Sequence, residues 1–233
     1  KAPVAPRAPI KKPEPRTVAV RTAPPDTSEK RPPVRAGATA EKKADALYKS
    51  KDFKGAAEAI RAAVADGPAD DAKRLRALAA DYETIGTNLT AGTAMAKAKP
   101  TDALGALKKA LTADRRVGGA HQQDIREKLA QVAPAAAALY MAKQNYPMAK
   151  IAADDAVNFG SGSNATVANV RQSLERKAQE FFSSAQTLMK DKPEDAKALL
   201  RQITKIVPTD SPWYGKAYKQ LNARSGATRD DDE

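Results

Sequence analysis

Four short amphipathic runs recur along the chain at a nearly constant interval. Each opens on an alanine just after a loop signal: Ala56, Ala103, Ala149 and Ala196, separated by 47, 46 and 47 residues. Three positions on stand Ala59, Ala106, Ala152 and Leu199, and four on stand Ile60, Leu107, Ala153 and Leu200. At +7 come Ala63, Ala110, Ala156 and Ile203, and at +8 Val64, Leu111, Val157 and Thr204. Offsets 0, 3, 4, 7 and 8 trace one face of an α-helix, and only Thr204 breaks the pattern. A fixed period of this length predicts stacked supersecondary units, none able to bury its apolar face alone.

Turn signals precede these runs: Lys51-Asp52, Lys99-Pro100-Thr101, Gln144-Asn145 and Asp191-Lys192-Pro193. Breakers follow them: Gly67-Pro68, Gly118-Gly119, Gly160-Ser161-Gly162 and Pro208. Thr101 is expected to cap its helix, and Asp191 with Glu194 has the form of a capping box. Each unit therefore reads helix, tight turn, helix, stop. The first helices of units two and four are long. Leu75, Leu78, Tyr82, Ile85, Leu89, Gly92 and Ala96 alternate spacings of three and four, as nearly do Val167, Val170, Leu174, Ala178, Phe181, Ala185 and Leu188. Such seams imply about 25 residues of helix at a shallow angle to a neighbour. Pro134 should kink or break the first helix of unit three near Ala133. Ser211-Pro212 starts a last helix, serine capping and proline at the first helical position. It runs to about Ala223 and places Trp213 as a lid on the stack. The expected fold is all-α, with about four helical-hairpin units of 46–47 residues and a C-terminal capping helix over residues 39–223.

Composition narrows this further. Alanine dominates the 42% hydrophobic fraction while aromatics make up 5%, which suits closely packed helices better than a sheet core. The absence of cysteine excludes disulfides, cysteine-ligated zinc and thiol catalysis. No stretch approaches the roughly 18–20 apolar residues that cross a bilayer. Residues 1–38 hold nine of the sixteen prolines. They read as a disordered spacer with polyproline II character. The same segment carries nine lysines and arginines against three carboxylates, about half of the net +12. Beyond it, acidic and basic residues interleave as on a solvated helical surface. Residues 224–233 read as an acidic frayed tail, and Lys1 as a boundary with something upstream.

The second half of each unit resembles a tetratricopeptide repeat. In unit one, Ala44, Leu47, Asp52-Phe53, Ala56, Ile60, Ala63 and Pro68 fall at that family's small, large, turn, small, large, small and proline positions. In unit three, Ala137, Tyr140, Asn145-Tyr146, Ala149 and Ala156 do the same, and unit four keeps Ala196, Leu200 and Pro208. The resemblance spans about residues 39–223 and implies an α-solenoid that binds other proteins. The family's period is 34 rather than about 47, the excess lying in the first helices, so HEAT-like or bundle packing stays open. Glu41 and Asp45 stand where the family's peptide-carboxylate clamp places Lys and Asn, so that clamp is missing. The stretch from Ala198 to Tyr218 is also similar to the ends of repeat regions in large bacterial proteins. Some of these carry a forkhead-associated or kinase domain, a membrane segment and a proline-rich linker upstream. That implies the output end of a larger envelope or signalling protein; the compartment stays open between cytoplasm and periplasm, with a lean to the envelope.

Candidate chemistry is sparse. His121, the single histidine, follows Gly118-Gly119 and reads as a surface histidine rather than a metal ligand. Asp70-Asp71 and Asp154-Asp155 are sequence neighbours, which a helix points about 100° apart, so neither is a facing acid/base pair. Gly160–Asn164 lacks the Gly-Lys-Ser/Thr ending of a phosphate loop, and Ser183-Ser184 lacks an activating base. The expectation is a non-enzyme without metal or cofactor and without a small-molecule substrate. Partner-contacting candidates are Tyr48, Lys49 and Asn88, with Tyr48 equally able to be interior. The structural repeat positions are Ala56, Ala103, Ala149, Ala196, Ile60, Leu107, Leu200, Pro68, Pro208 and Trp213. The alternative function is binding of nucleic acid or an anionic envelope polymer or membrane surface through the basic arm, with affinity falling steeply with salt.

Overall fold

The computed structural model describes residues 36–66 and 69–223. Among them the chain forms nine helices and no strand. They are α1 (Ala36–Lys49), α2 (Phe53–Asp66), α3 (Ala69–Met95), α4 (Pro100–Arg116), α5 (Gln122–Ala142), α6 (Tyr146–Asn158), α7 (Ala165–Leu188), α8 (Pro193–Ile206) and α9 (Pro212–Ala223). Eight pair as hairpins and α9 follows alone. The starts of α2, α4, α6 and α8 keep the sequence period, and their anchors Ala56, Ala103, Ala149 and Ala196 are all fully buried. Ile60, Leu107 and Leu200 at +4 are fully buried too. The stripe is narrower than its sequence suggests: offsets 0, 4 and 7 are buried throughout, whereas Val157 and Thr204 at +8 reach solvent. Three contacts per two turns are enough to seat a helix on its neighbours.

Every helix packs on its neighbours in the chain, and substantial packing reaches no further than the next helix but one, as between α5 and α7. The long first helices measure 27 residues for α3 and 24 for α7. Along α7, Phe182 takes the core place that spacing assigns to Phe181, which is half-buried. On α3, Gly92 gives α4 room for close approach: a Cβ there would stand 2.7 Å from Leu107 Cγ. Gly86 does the same for Phe53 at the start of α2, at 2.8 Å.

The turns inside the hairpins alternate between two geometries. In hairpins one and three, Lys51 and Gln144 adopt left-handed φ of 67° and 56°. The next N–H, of Asp52 or Asn145, returns to the carbonyl of Leu47 or Tyr140 at 2.9 Å. This satisfies an orphan carbonyl of the first helix, and the same Asp52 or Asn145 side chain then caps the second. In hairpins two and four a lysine precedes a proline, and Lys99 and Lys192 share one conformation (φ −138° in both). Neither supplies a side-chain cap. The expected caps at Thr101 and Asp191 are therefore corrected. Proline's fixed φ and missing N–H suit the first helical position, which moves the helix start to Pro100 and Pro193. Thr101 lies inside α4, and Asp191 lies before the capping residue.

Two further differences concern boundaries. α1 begins at Ala36, three residues before Thr39, and its Gly37 is buried with Leu75 of α3 nearby. α5 continues through Pro134 instead of breaking there. Proline cannot donate to the carbonyl four residues back, Ala130, and that carbonyl accepts the Ser161 hydroxyl at 2.6 Å instead. The Gly160–Asn164 segment is thus a built turn, with Gly160 at φ 99° and the Asn164 side chain accepting from Thr166 N–H at 2.8 Å. Ser211 likewise accepts from Trp213 N–H at 3.2 Å, the cap read from its sequence. Pro68 and the segments 1–35 and 224–233, expected to be arm and tail, lie outside the described residues.

Candidate binding surface

Tyr48 does not face solvent; only 1% of it is exposed. It points from the last turn of α1 toward the turn between α4 and α5. Its hydroxyl donates to Asp114 Oδ1 at 2.5 Å and accepts from Ala120 N–H at 2.7 Å. Its carbonyl meets His121 Nε2 at 2.7 Å; a carbonyl only accepts, so Nε2 carries the proton. His121 is 6% exposed and lies edge-on to Tyr48 and to Phe53, at 4.8 and 5.3 Å between ring centroids. The surface assignment of His121 and the contact assignment of Tyr48 are both corrected. Tyr48 lies in the last turn of α1 and His121 just before α5, and tertiary packing brings these two ends together across 73 positions of sequence.

Asp114 completes this junction. It is fully buried on α4, accepts from the Tyr48 hydroxyl and the His121 backbone N–H, and keeps Oδ2 without a partner. Burial, and then the hydrogen bond to Asp114, push the Tyr48 phenol above its ordinary value. Asp114 reaches the backbone of His121 rather than its ring, so the three side chains do not form a carboxylate–imidazole relay. They fasten hairpin one to the start of hairpin three. Sequence reasoning missed Asp114 altogether, although a carboxylate in the α4 run, seven residues before the single histidine, was visible.

The other candidates stay at the surface. Lys49 is exposed and pairs with Asp45 at 2.7 Å, and Asn88 is half-buried with its amide donating to Thr84 O at 2.8 Å. The structure does not bring Tyr48, Lys49 and Asn88 into one site. Asp154 and Asp155 diverge, Asp154 to Lys150 and Arg171 and Asp155 to Lys108. Pro208 is exposed after α8. Trp213 is half-buried against Phe182, 5.7 Å between centroids, with the Lys216 ammonium 4.3 Å above its ring.

What the surface offers is grooves between helices. One of about 640 Å³ runs between the α1–α2 turn and the middle of α3, floored by Phe53, Gly86 and Ala91 and rimmed by Lys51, Glu83 and Thr87. Its rim is set by ion pairs, Lys51 with Asp124 at 3.0 Å and Glu83 with Arg61 at 2.5 Å. The Arg61 hydrogen bond holds the Glu83 carboxyl below its ordinary value. A second groove of about 290 Å³ lies between α4 and α6, lined by Leu104, Tyr140, Met148 and Ile151 and bridged by Lys108 and Asp155 at 2.7 Å. Among the described residues no three acidic or histidine side chains gather as metal ligands, and no helix is long and apolar enough to cross a membrane. Comparison with protein-family models, curated proteins and solved structures found no match.

Proposed function

We propose that this chain is a non-enzymatic scaffold of tetratricopeptide type that binds other proteins along its stacked hairpins. The observation that carries the reading is the equivalence of Ala56, Ala103, Ala149 and Ala196. All four are fully buried at the same point of a hairpin, and the hairpins pack in chain order. Units that pack chiefly on their neighbours leave long grooved surfaces, which repeat architectures use for partners. The long α3, α5 and α7 account for the period of 46–47 residues, and they widen the face a partner can cover. The polar cluster at Tyr48 supports the same reading, because its hydrogen bonds join one hairpin to another. A place within a larger bacterial envelope or signalling assembly fits the basic, proline-rich start of the chain.

The test is capture from host lysate with the full chain and with residues 36–223, at low and at high salt. A partner held by both at high salt supports the scaffold. Capture by the full chain alone, and only at low salt, assigns binding to the arm and anionic surfaces instead.

A further inference from the structure

We propose that hairpin one and the front of α3 swing as one folded unit about a hinge at residues 84–93 of α3, with the junction of Tyr48, Asp114 and His121 as the catch. The buried apolar side chains fall into two clusters, and the boundary between them crosses α3. Leu75, Ala79, Tyr82 and Ile85 belong to the cluster that holds α1 and α2, whereas Leu89 belongs to the one that runs through α4 to α9. Among the described helices, α1 and α2 pack substantially only on each other and on α3. Of α4, the first cluster takes in only Ala113, with Val117 half-buried against it.

The helix is weakest where it crosses that boundary. Residues 84–93 hold two glycines, Gly86 and Gly92, four threonines and Asn88, all poorer helix formers than alanine. The hydroxyls of Thr84 and Thr93 donate to the carbonyls of Ala80 and Leu89 at 2.7 and 2.8 Å, and the Asn88 amide to that of Thr84 at 2.8 Å. Such bonds four residues back compete with the helix's own ladder and bend it. What opening breaks is mostly polar. The catch consists of the hydrogen bonds of Tyr48 to Asp114, Ala120 and His121, and the ion pairs Lys51–Asp124 and Asp81–Arg116 flank it. Water can take over all of these when the units part, and it reaches Asp114 Oδ2, which has no partner in the closed form. The groove of about 640 Å³ spans the same place, with Lys51, Asp52 and Phe53 on the swinging unit and Thr87, Thr90 and Ala91 on the hinge. Its width follows the hinge angle, so an occupant of the groove and the catch act on one equilibrium.

The chain has no cysteine, so pairs of introduced cysteines can carry spin labels in the full chain, with distances read by pulsed electron resonance. Ala62→Cys with Ala198→Cys spans the hinge. Ala62→Cys with Arg76→Cys lies inside the swinging unit, and Lys109→Cys with Ala198→Cys lies outside it; all four positions are exposed. In the Tyr48→Phe chain the spanning pair should show a second distance in about a tenth or more of the molecules, roughly tenfold above the parent. The other two pairs should each keep the single distance of the parent. Adding Thr87→Ala, Thr90→Ala and Thr93→Ala, all at exposed positions, should lower the second population about threefold or more by strengthening the helix. One unchanged distance for the spanning pair in Tyr48→Phe overturns the proposal. A spread of distances between positions 62 and 76 overturns it too, because the unit then unfolds rather than swings. Threonine replacements without effect remove the hinge from residues 84–93. If Tyr48→Phe also disturbs the pair at 109 and 198, the whole fold has loosened, and the decision passes to Lys51→Gln with Arg116→Gln. That chain loses only the two flanking ion pairs, and a spanning distance identical to the parent's there sinks the swinging unit.

Discussion

Hairpin one and hairpin three are held in place by opposite means. At the end of α1 the contact runs through Tyr48, whose hydroxyl bridges Asp114 and the Ala120 N–H while His121 ties down its carbonyl. Where α5 packs on α6, Ala133, Ala136 and Ala137 of the one and Ala149, Ala152, Ala153 and Ala156 of the other are all buried in one cluster, none with a polar side chain. The polar junction is directional, because a rotated Tyr48 would strand Asp114 in the interior. The alanine face costs no side-chain entropy to order, and it lets the two backbones approach closely enough to exclude everything larger. One region tolerates little change of chemistry and the other little change of size.

That contrast can be broken by experiment. Ala149→Leu inserts a branched side chain at a fully buried position between close backbones. It is expected to cost about 3 kcal/mol, read from the urea midpoint. A loss smaller than that of Tyr48→Phe would mean the alanine face is loose rather than tight. Tyr48→Phe keeps the ring and deletes the hydroxyl, leaving Asp114 with only the long His121 N–H bond and the Ala120 N–H without a partner, and should cost about 2 kcal/mol. The same variant carries a signature at high pH. The folded Tyr48 holds its proton more tightly than the ordinary phenol at 10.0, so its contribution is full below that value and lost as pH rises through the higher folded one. Tyr48→Phe should therefore flatten the alkaline loss of stability, whereas Ala149→Leu should leave its slope unchanged.

Smaller effects sharpen the comparison within hairpin three. Ser161→Ala orphans the Ala130 carbonyl that Pro134 cannot satisfy, and should cost about 1 kcal/mol. In a Pro134→Ala background the restored N–H takes that carbonyl, and Ser161→Ala should then cost much less; equal costs in both backgrounds would refute the link. The smallest effect belongs to the surface pair of Glu41 on α1 with Arg74 on α3, at 2.6 Å. Arg74's hydrogen bond holds the Glu41 carboxyl below its ordinary value of 4.5. Its contribution is present above that value and lost as pH falls through the lower folded one. Glu41→Gln should remove less than about 1 kcal/mol at neutral pH and flatten the acid limb of stability by that amount.

Much of the helical layout was legible in the residues themselves. Ala56, Ala103, Ala149 and Ala196 mark the same buried point because a helix repeats its face every 3.6 residues, and that needs no knowledge of neighbours. The lengths of α3 and α7 followed from unbroken seams between turn signals. The misplaced caps at Thr101 and Asp191 came from weighing hydroxyl and carboxyl caps above the adjacent proline. Pro134 was read as a breaker because its compensating partner, Ser161, lies in another turn, 31 residues from the Ala130 carbonyl it satisfies. Nothing local could reveal it.

The chain's own pattern therefore determined that it is helical, where its hairpins turn and which stripe of each second helix is buried. These are short-range consequences of side-chain size, backbone restriction and period. Only the tertiary structure decided what the exceptional residues do. It took Tyr48 and His121 from two helix ends into the interior, and gave Asp114 a buried role. It left Tyr218 largely exposed on α9. Such outcomes depend on which surfaces meet, and a pair like Tyr48 and His121 is set by the sum of many turns and crossing angles between them rather than by the sequence around either one.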